Sequence, residues 1–128
     1  MSYAQERVDI ESRLETGWTT TDIAWYNVPY VPVPGTAFIR CTILPGEVER
    51  LSFGRDTVKE YDGIIDIGIF TPKSTGSAIG WGYSDTLFAL FNMVEFGTID
   101  CDEAVIKNLG SEEDWYHLSI SVPFMRRE

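Results

Sequence analysis

From Gly63 to Phe70 the chain reads GIIDIGIF, with isoleucine at Ile65, Ile67 and Ile69. In a strand, successive side chains point to opposite faces, so these three share one face while Ile64, Asp66, Gly68 and Phe70 share the other. β-branched residues suit that pleated surface. The spacing predicts a buried strand over 63–70, stopped at Thr71–Pro72 because proline removes a ladder donor. Lys73–Gly80 is rich in Ser, Thr and Gly and reads as a loop. Tyr83, Leu87, Leu90, Phe91 and Val94 then recur at helical spacing, with Ser84 or Asp85 placed to cap the helix and Phe96–Gly97 to end it. A strand that crosses to a helix packing back on its sheet is the seed of an α+β domain.

At 128 residues the chain has the size of one domain, 1–128, and 44% hydrophobic residues can build a real core. Twenty acidic residues against ten basic ones leave a net charge of −10. That balance argues against binding of DNA or RNA phosphates and against adhesion to an anionic membrane. No apolar run approaches a spanning helix, and the polar start MSYAQERVDIESRLE does not resemble a signal peptide. Cys41 and Cys101 each sit alone in a strand-like segment. They read as buried free thiols, without the Cys/His spacing of a zinc site.

Before the central unit, Ser2 and Gln5 suggest a capping box. Tyr3, Arg7, Ile10, Leu14 and Gly17 fall on one helical face over 3–16, with Glu6 and Arg13 among the residues decorating the rest. Ile23–Val28 reads as a short strand. Pro29, Pro32 and Pro34 then impose an extended, polyproline-like segment. Ala37–Leu44 reads as a strand, Pro45–Gly46 as a turn, Glu47–Phe53 as a weaker strand, and Gly54–Asp62 as a charged hairpin tip. After the helix, Thr98–Cys101 and Ala104–Leu109 are strand material and Gly110–Asp114 an acidic turn. Trp115–Pro123 alternates cleanly, with Tyr116, Leu118, Ile120 and Val122 inward and His117, Ser119 and Ser121 outward. Phe124–Glu128 reads as a tail, frayed or held by a partner. The expected order is α, β, β, β, β, α, β, β.

No catalytic constellation emerges. His117 is the single histidine. Its serine neighbours at i+2 and i+4 do not make a nucleophile–base pair without further geometry. Asp100, Asp102 and Glu103 follow no cation-loop pattern and read as a solvated acidic stretch. The glycines at 76, 80 and 82 match neither phosphate-binding fingerprint. No cofactor and no metal are expected. Four Trp, six Tyr and seven Phe are many for this length, and Trp81, Phe88 and one of Trp25 or Tyr26 fall outside the core stripes. Aromatics in that position fit either a protein interface or a two-sided core with extra packing beneath loops.

Several segments in order carry a resemblance. They are Asn27, Pro29, Tyr30 and Pro32 (N-x-P-Y-x-P); Phe38, Ile39 and Arg40; Gly63 to Pro72; a glycine-rich loop; and Ser84, Asp85, Leu87 and Phe91. Together the chain resembles the tail terminator (tail completion) proteins of long non-contractile-tailed bacteriophages, including the lambda-like terminator, over about residues 2–123. The loop TPKSTGSAIGWG departs from the shorter P-x-G-x-G common among relatives. The resemblance implies an α+β fold with a mainly antiparallel sheet and helices on one side. It also implies a non-enzymatic virion protein, made in the host cytoplasm and placed at the head-proximal end of the tail. There a homo-hexameric ring would cap the tail tube protein, stop polymerisation and present a surface to the head–tail connector, DNA passing through the lumen without specific binding. A head-to-tail ring needs two different matching patches per subunit. The candidates are Pro29, Tyr30, Pro32 and Pro34 in the proline arm, Arg50, Arg55 and Lys59 near the charged tip, Lys73 and Trp81 in the loop, and Asp85. The alternatives are another neck component, such as a head-completion or connector adaptor, and a non-viral acidic adaptor.

Overall fold

The computed structural model describes residues 3–50, 59–73, 76, 78–112 and 115–127. Two helices, α1 (Tyr3–Gly17) and α2 (Ala78–Phe91), accompany seven strands: β1 (Asp22–Trp25), β2 (Phe38–Arg50), β3 (Lys59–Pro72), β4 (Glu95–Phe96), β5 (Ile99–Cys101), β6 (Val105–Glu112) and β7 (Trp115–Arg127). They form one curled, mixed sheet in the order β1-β2-β3-β7-β5-β4, with β6 also pairing β7. Among the described residues only β1–β2 is parallel; the other pairings are antiparallel. The class is α+β, dominated by sheet.

The isoleucine alternation does what its period demands. Ile39, Cys41 and Ile43 pair with Ile69, Ile67 and Ile65. These in turn pair with Leu118, Ile120 and Val122. That inner face joins Ile10 and Leu14 of α1 and Leu87 and Phe91 of α2 in one buried cluster. Arg13 ties the helices together: its Nε donates to the Leu90 carbonyl at 2.8 Å, satisfying part of the last turn of α2. Both cysteines are free and buried, as the sequence suggests. Burial pushes each thiol up to about 12.

Several boundaries differ from the sequence reading, each for a packing reason. The predicted turn at Pro45–Gly46 is part of β2, which passes through an irregularity between Pro45 and Val48. A strand tolerates proline at such a break, where no ladder donor is required. β3 begins at Lys59 and keeps Thr71 and Pro72, so the described part of the predicted tip is strand. The rest of that tip, and Ser2 of the predicted cap, lie outside the described residues. Helix α2 begins at Ala78, not near Ser84. Gly80 is buried, and a Cβ there would stand 3.1 Å from Leu118 Cδ1, so the glycine read as loop punctuation lets the helix close on the sheet. Ser84 is therefore no cap. It lies buried within the helix and donates its hydroxyl to the Trp81 carbonyl at 2.8 Å. Asp85 sits exposed in the helix interior rather than at its start. The helix stops at Phe91, while Val94 and Phe96 belong to the path through β4.

The predicted tail is strand through Arg127, with Phe124 and Arg126 buried. Glu6, placed by periodicity among the decorating residues, is 3% exposed. Arg126 Nε reaches Glu6 Oε1 at 3.2 Å, and the guanidinium lies 4.2 Å from the Tyr61 ring centre. Burial pushes the Glu6 carboxyl above its ordinary value, and the bond and charge of Arg126 pull it back.

Candidate interaction surface

The face of the sheet away from the helices carries a row of packed rings together with His117 and Ser119. Phe38 and Phe70 stack at 4.7 Å and 7°, and Phe70 stacks with His117 at 4.1 Å and 16°. Three neighbouring strands thus contribute one continuous pile of rings. Trp115 meets Phe38 edge-on at 5.1 Å. Arg40 lies within 6.0 Å of both phenylalanine rings. One row further along, Ser119 donates to Asp66 Oδ1 at 2.8 Å. His117 and Ser119 occupy the predicted face but are packed rather than solvent-facing. Gly68 makes room for this: a Cβ there would sit 3.0 Å from His117 Nε2.

The proline arm is anchored to the pile. Tyr30 packs on Phe38 at 5.0 Å, and its hydroxyl donates to Asp22 Oδ2 at 3.3 Å. Burial and the Asp22 carboxylate push the Tyr30 phenol above its ordinary value. Two turns bracket the arm: Val28 N–H donates to Trp25 O, and Thr36 N–H to Val33 O. Asn27 takes the left-handed conformation at φ 62°, which asparagine tolerates better than most residues. Prolines at 29, 32 and 34 restrict the rest of the path. The consequence is an exposed apolar ridge held in place: Tyr26 is 73% exposed, Val31 84%, and Val28 and Val33 more than half. Tyr26 is thus the outward member of the Trp25/Tyr26 pair.

Pro32, Pro34, Gly35, Pro72, Lys73 and Trp115 line one shallow cleft, so the arm meets the start of the predicted loop. Trp81 is 39% exposed on α2. Arg50 and Lys59 are register partners at the opposite end of the β2–β3 hairpin. At ~3.3 Å per residue, Phe38 and Arg50 stand about 40 Å apart along β2. The described candidates therefore fall in three places: a proline pole with Lys73 beside it, a charged hairpin pole of Arg50 and Lys59, and Trp81 and Asp85 on α2. Arg55 lies outside the described residues.

Near the charged pole, Glu47, Glu60, Asp62 and Asp102 line a cleft floored by Ile64, Pro123 and Phe124. Burial, then Glu60 and Glu47, push the Asp62 carboxyl up. Among the described residues no group of three or more His, Cys, Asp or Glu is placed to hold a metal ion. No helix among them is long and apolar enough to cross a membrane.

Tyr30→Ala is expected to release the arm while leaving the core intact. Amides of residues 28–36 should exchange at least tenfold faster by hydrogen exchange, with global stability changed by no more than ~1–2 kcal/mol for the lost aromatic contact and hydrogen bond. Unchanged exchange would show that the prolines alone hold the arm.

No family model matches the chain, and no curated protein matches it. Solved structures do. One superposes with a TM-score of 0.74 at 20% identity, covering 98% of this chain and 96% of its own. At that identity the likeness is one of fold, and it extends over nearly the whole length of both chains.

Proposed function

We propose that this protein is a structural subunit of a tailed bacteriophage: a tail terminator that assembles with itself into a ring, hexameric in the family it resembles. The ring caps the tail tube and offers the joining surface to the head connector. The reading needs no catalytic residue, cofactor or metal. The observation that carries it is the proline arm, an apolar ridge left exposed yet braced by Tyr30 and two turns. Monomeric proteins rarely keep such a patch uncovered, and a preorganised one loses little entropy on docking. The order of motifs along the chain gives the arm its context. The net charge of −10 suits a lumen that DNA must traverse, since like charge repels and no counterion release rewards contact.

Electron microscopy of tails carrying a gold-labelled version tests this. Label is expected at the head-proximal end of each tail. Tubes assembled without the protein should lose their uniform length. Label along the tube or at the distal tip would overturn the reading.

A further inference from the structure

The helices cover one face of the sheet, and the proline arm covers only part of the other, where Tyr30 packs on Phe38. Further along the same strands, that outer face carries a row of apolar side chains. Leu44 on β2 is the register partner of Ile64 on β3, and Ile64 is that of Pro123 on β7. Side chains alternate along a strand, and the buried members of β3 include Ile65, Ile67 and Ile69. Ile64 and its two partners therefore point away from the core. Leu44 is 48% exposed and Ile64 41%, and Pro123 is exposed as well. Val105, exposed on β6, stands opposite Ser121, two residues from Pro123. At ~4.8 Å per strand the row from Leu44 to Pro123 is about 10 Å wide. An antiparallel sheet ordinarily turns polar residues to water on such a face. Here three neighbouring strands turn apolar ones.

The surroundings of the row give the chemistry of what covers it. Ile64, Pro123 and Met125 share a cleft of about 460 Å³ with Glu47, Glu60, Asp62 and Asp102. Apolar floor and carboxylate rim thus belong to one concavity. Among the described residues no Lys or Arg lines it. Arg127 reaches Glu60 at 3.4 Å from an exposed position, one cation against four carboxylates. Glu60 also stands opposite Glu49 in the register of β2 and β3. The crowding shows at Asp62, whose carboxyl is pushed up by burial and then by Glu60 and Glu47. A cation arriving here relieves repulsion already present in the fold, and the aliphatic stem of a Lys or Arg finds apolar surface to lie on. A second copy of the chain, itself at −10, meets net repulsion.

We propose that this outer row is a docking site for a basic amphipathic segment of a partner protein, its apolar side chains on Leu44, Ile64 and Pro123 and its Lys or Arg groups on Glu47, Asp62 and Asp102. Charge steers the encounter, and the apolar row supplies contact that a purely charged segment lacks. The inference needs neither a second copy nor a virion, so it stands or falls apart from the ring reading.

Titration of the isotope-labelled protein, followed by amide NMR, tests it with two short peptides of equal positive charge. One alternates Leu and Lys, the other Ser and Lys. The Leu–Lys peptide is expected to move the amides of Leu44, Asp62, Ile64 and Met125 most. It should bind roughly tenfold tighter than the Ser–Lys peptide, which has nothing to bury. Ile64→Ser, at a solvent-facing position, should abolish that preference. Asp62→Asn should weaken the Leu–Lys peptide about fivefold, while Asp85→Asn, the same charge change on α2, should leave it within about twofold. Equal binding of the two peptides would reduce the effect to charge attraction and overturn the proposal. So would shifts centred elsewhere, no binding, or equal effects of Asp62→Asn and Asp85→Asn. Shifts of these amides that grow with protein concentration in the absence of peptide would assign the face to a second copy, and would overturn it too.

Discussion

Arg126→Met is expected to lower the unfolding free energy by about 3–5 kcal/mol at neutral pH, because it strands a buried carboxylate. Arg126 is 1% exposed and Glu6 3%, and their 3.2 Å contact joins the first helix to the last strand. The guanidinium also lies over Tyr61 and near Tyr3. Methionine fills a similar volume, so the loss reports the unpaired charge more than a cavity. The pH dependence separates these causes. Burial raises the Glu6 carboxyl above 4.5 while Arg126 lowers it. In the native protein, a raised folded value means a stability contribution that is complete below the ordinary value and lost as pH climbs through the folded one. Without Arg126 the rise is unopposed. The deficit of the variant should therefore shrink below pH 4.5 and grow above it. Urea midpoints at acidic and neutral pH measure this, and a deficit independent of pH would mean that packing dominates. Glu6→Leu combined with Arg126→Met should recover most of the loss, since exchanging a whole buried pair for apolar groups is near neutral or stabilising.

Phe91→Ala should cost about 3–5 kcal/mol, the range for deleting a buried aromatic ring. Phe91 is 0% exposed, belongs to the cluster that seats α2 on the sheet, and meets Phe96 edge-on at 6.1 Å. Because Asn92 N–H and Arg13 also hold the end of α2, at Phe88 O and Leu90 O, the helix should persist with its packing loosened. Far-ultraviolet dichroism should then stay close to native while the thermal midpoint falls. Loss of both together would show that α2 has no helicity apart from that ring.

The strand faces were legible in the chain. Ile65, Ile67 and Ile69 declare their shared side through a two-residue period, and Leu118, Ile120 and Val122 repeat it. The tyrosine at 30 and its prolines were legible as an extended segment, but not as one clamped to Phe38, since that contact needs β2 and the arm in the same place. The misreadings share a cause. Gly80 looked like a loop residue because glycine punctuates chains, yet here it marks the closest approach of helix to sheet. Phe124–Glu128 reads locally as a tail because Arg126 and its partner are 120 positions apart. The apolar row of Leu44, Ile64 and Pro123 was missed because register assembles it from three strands, and nothing local announces which strands are neighbours.

By itself, then, the sequence determined which residues face inward along each strand, the amphipathic character of the first helix and the charge balance, since each depends on near neighbours or on totals. The tertiary structure decided where α2 begins, that Glu6 and Arg126 are buried together, and that Tyr30 clamps the proline arm to Phe38. Those outcomes depend on which distant segments share space, and burial reverses the local preference of a glycine or a charge whenever the partner that compensates it arrives from elsewhere in the chain.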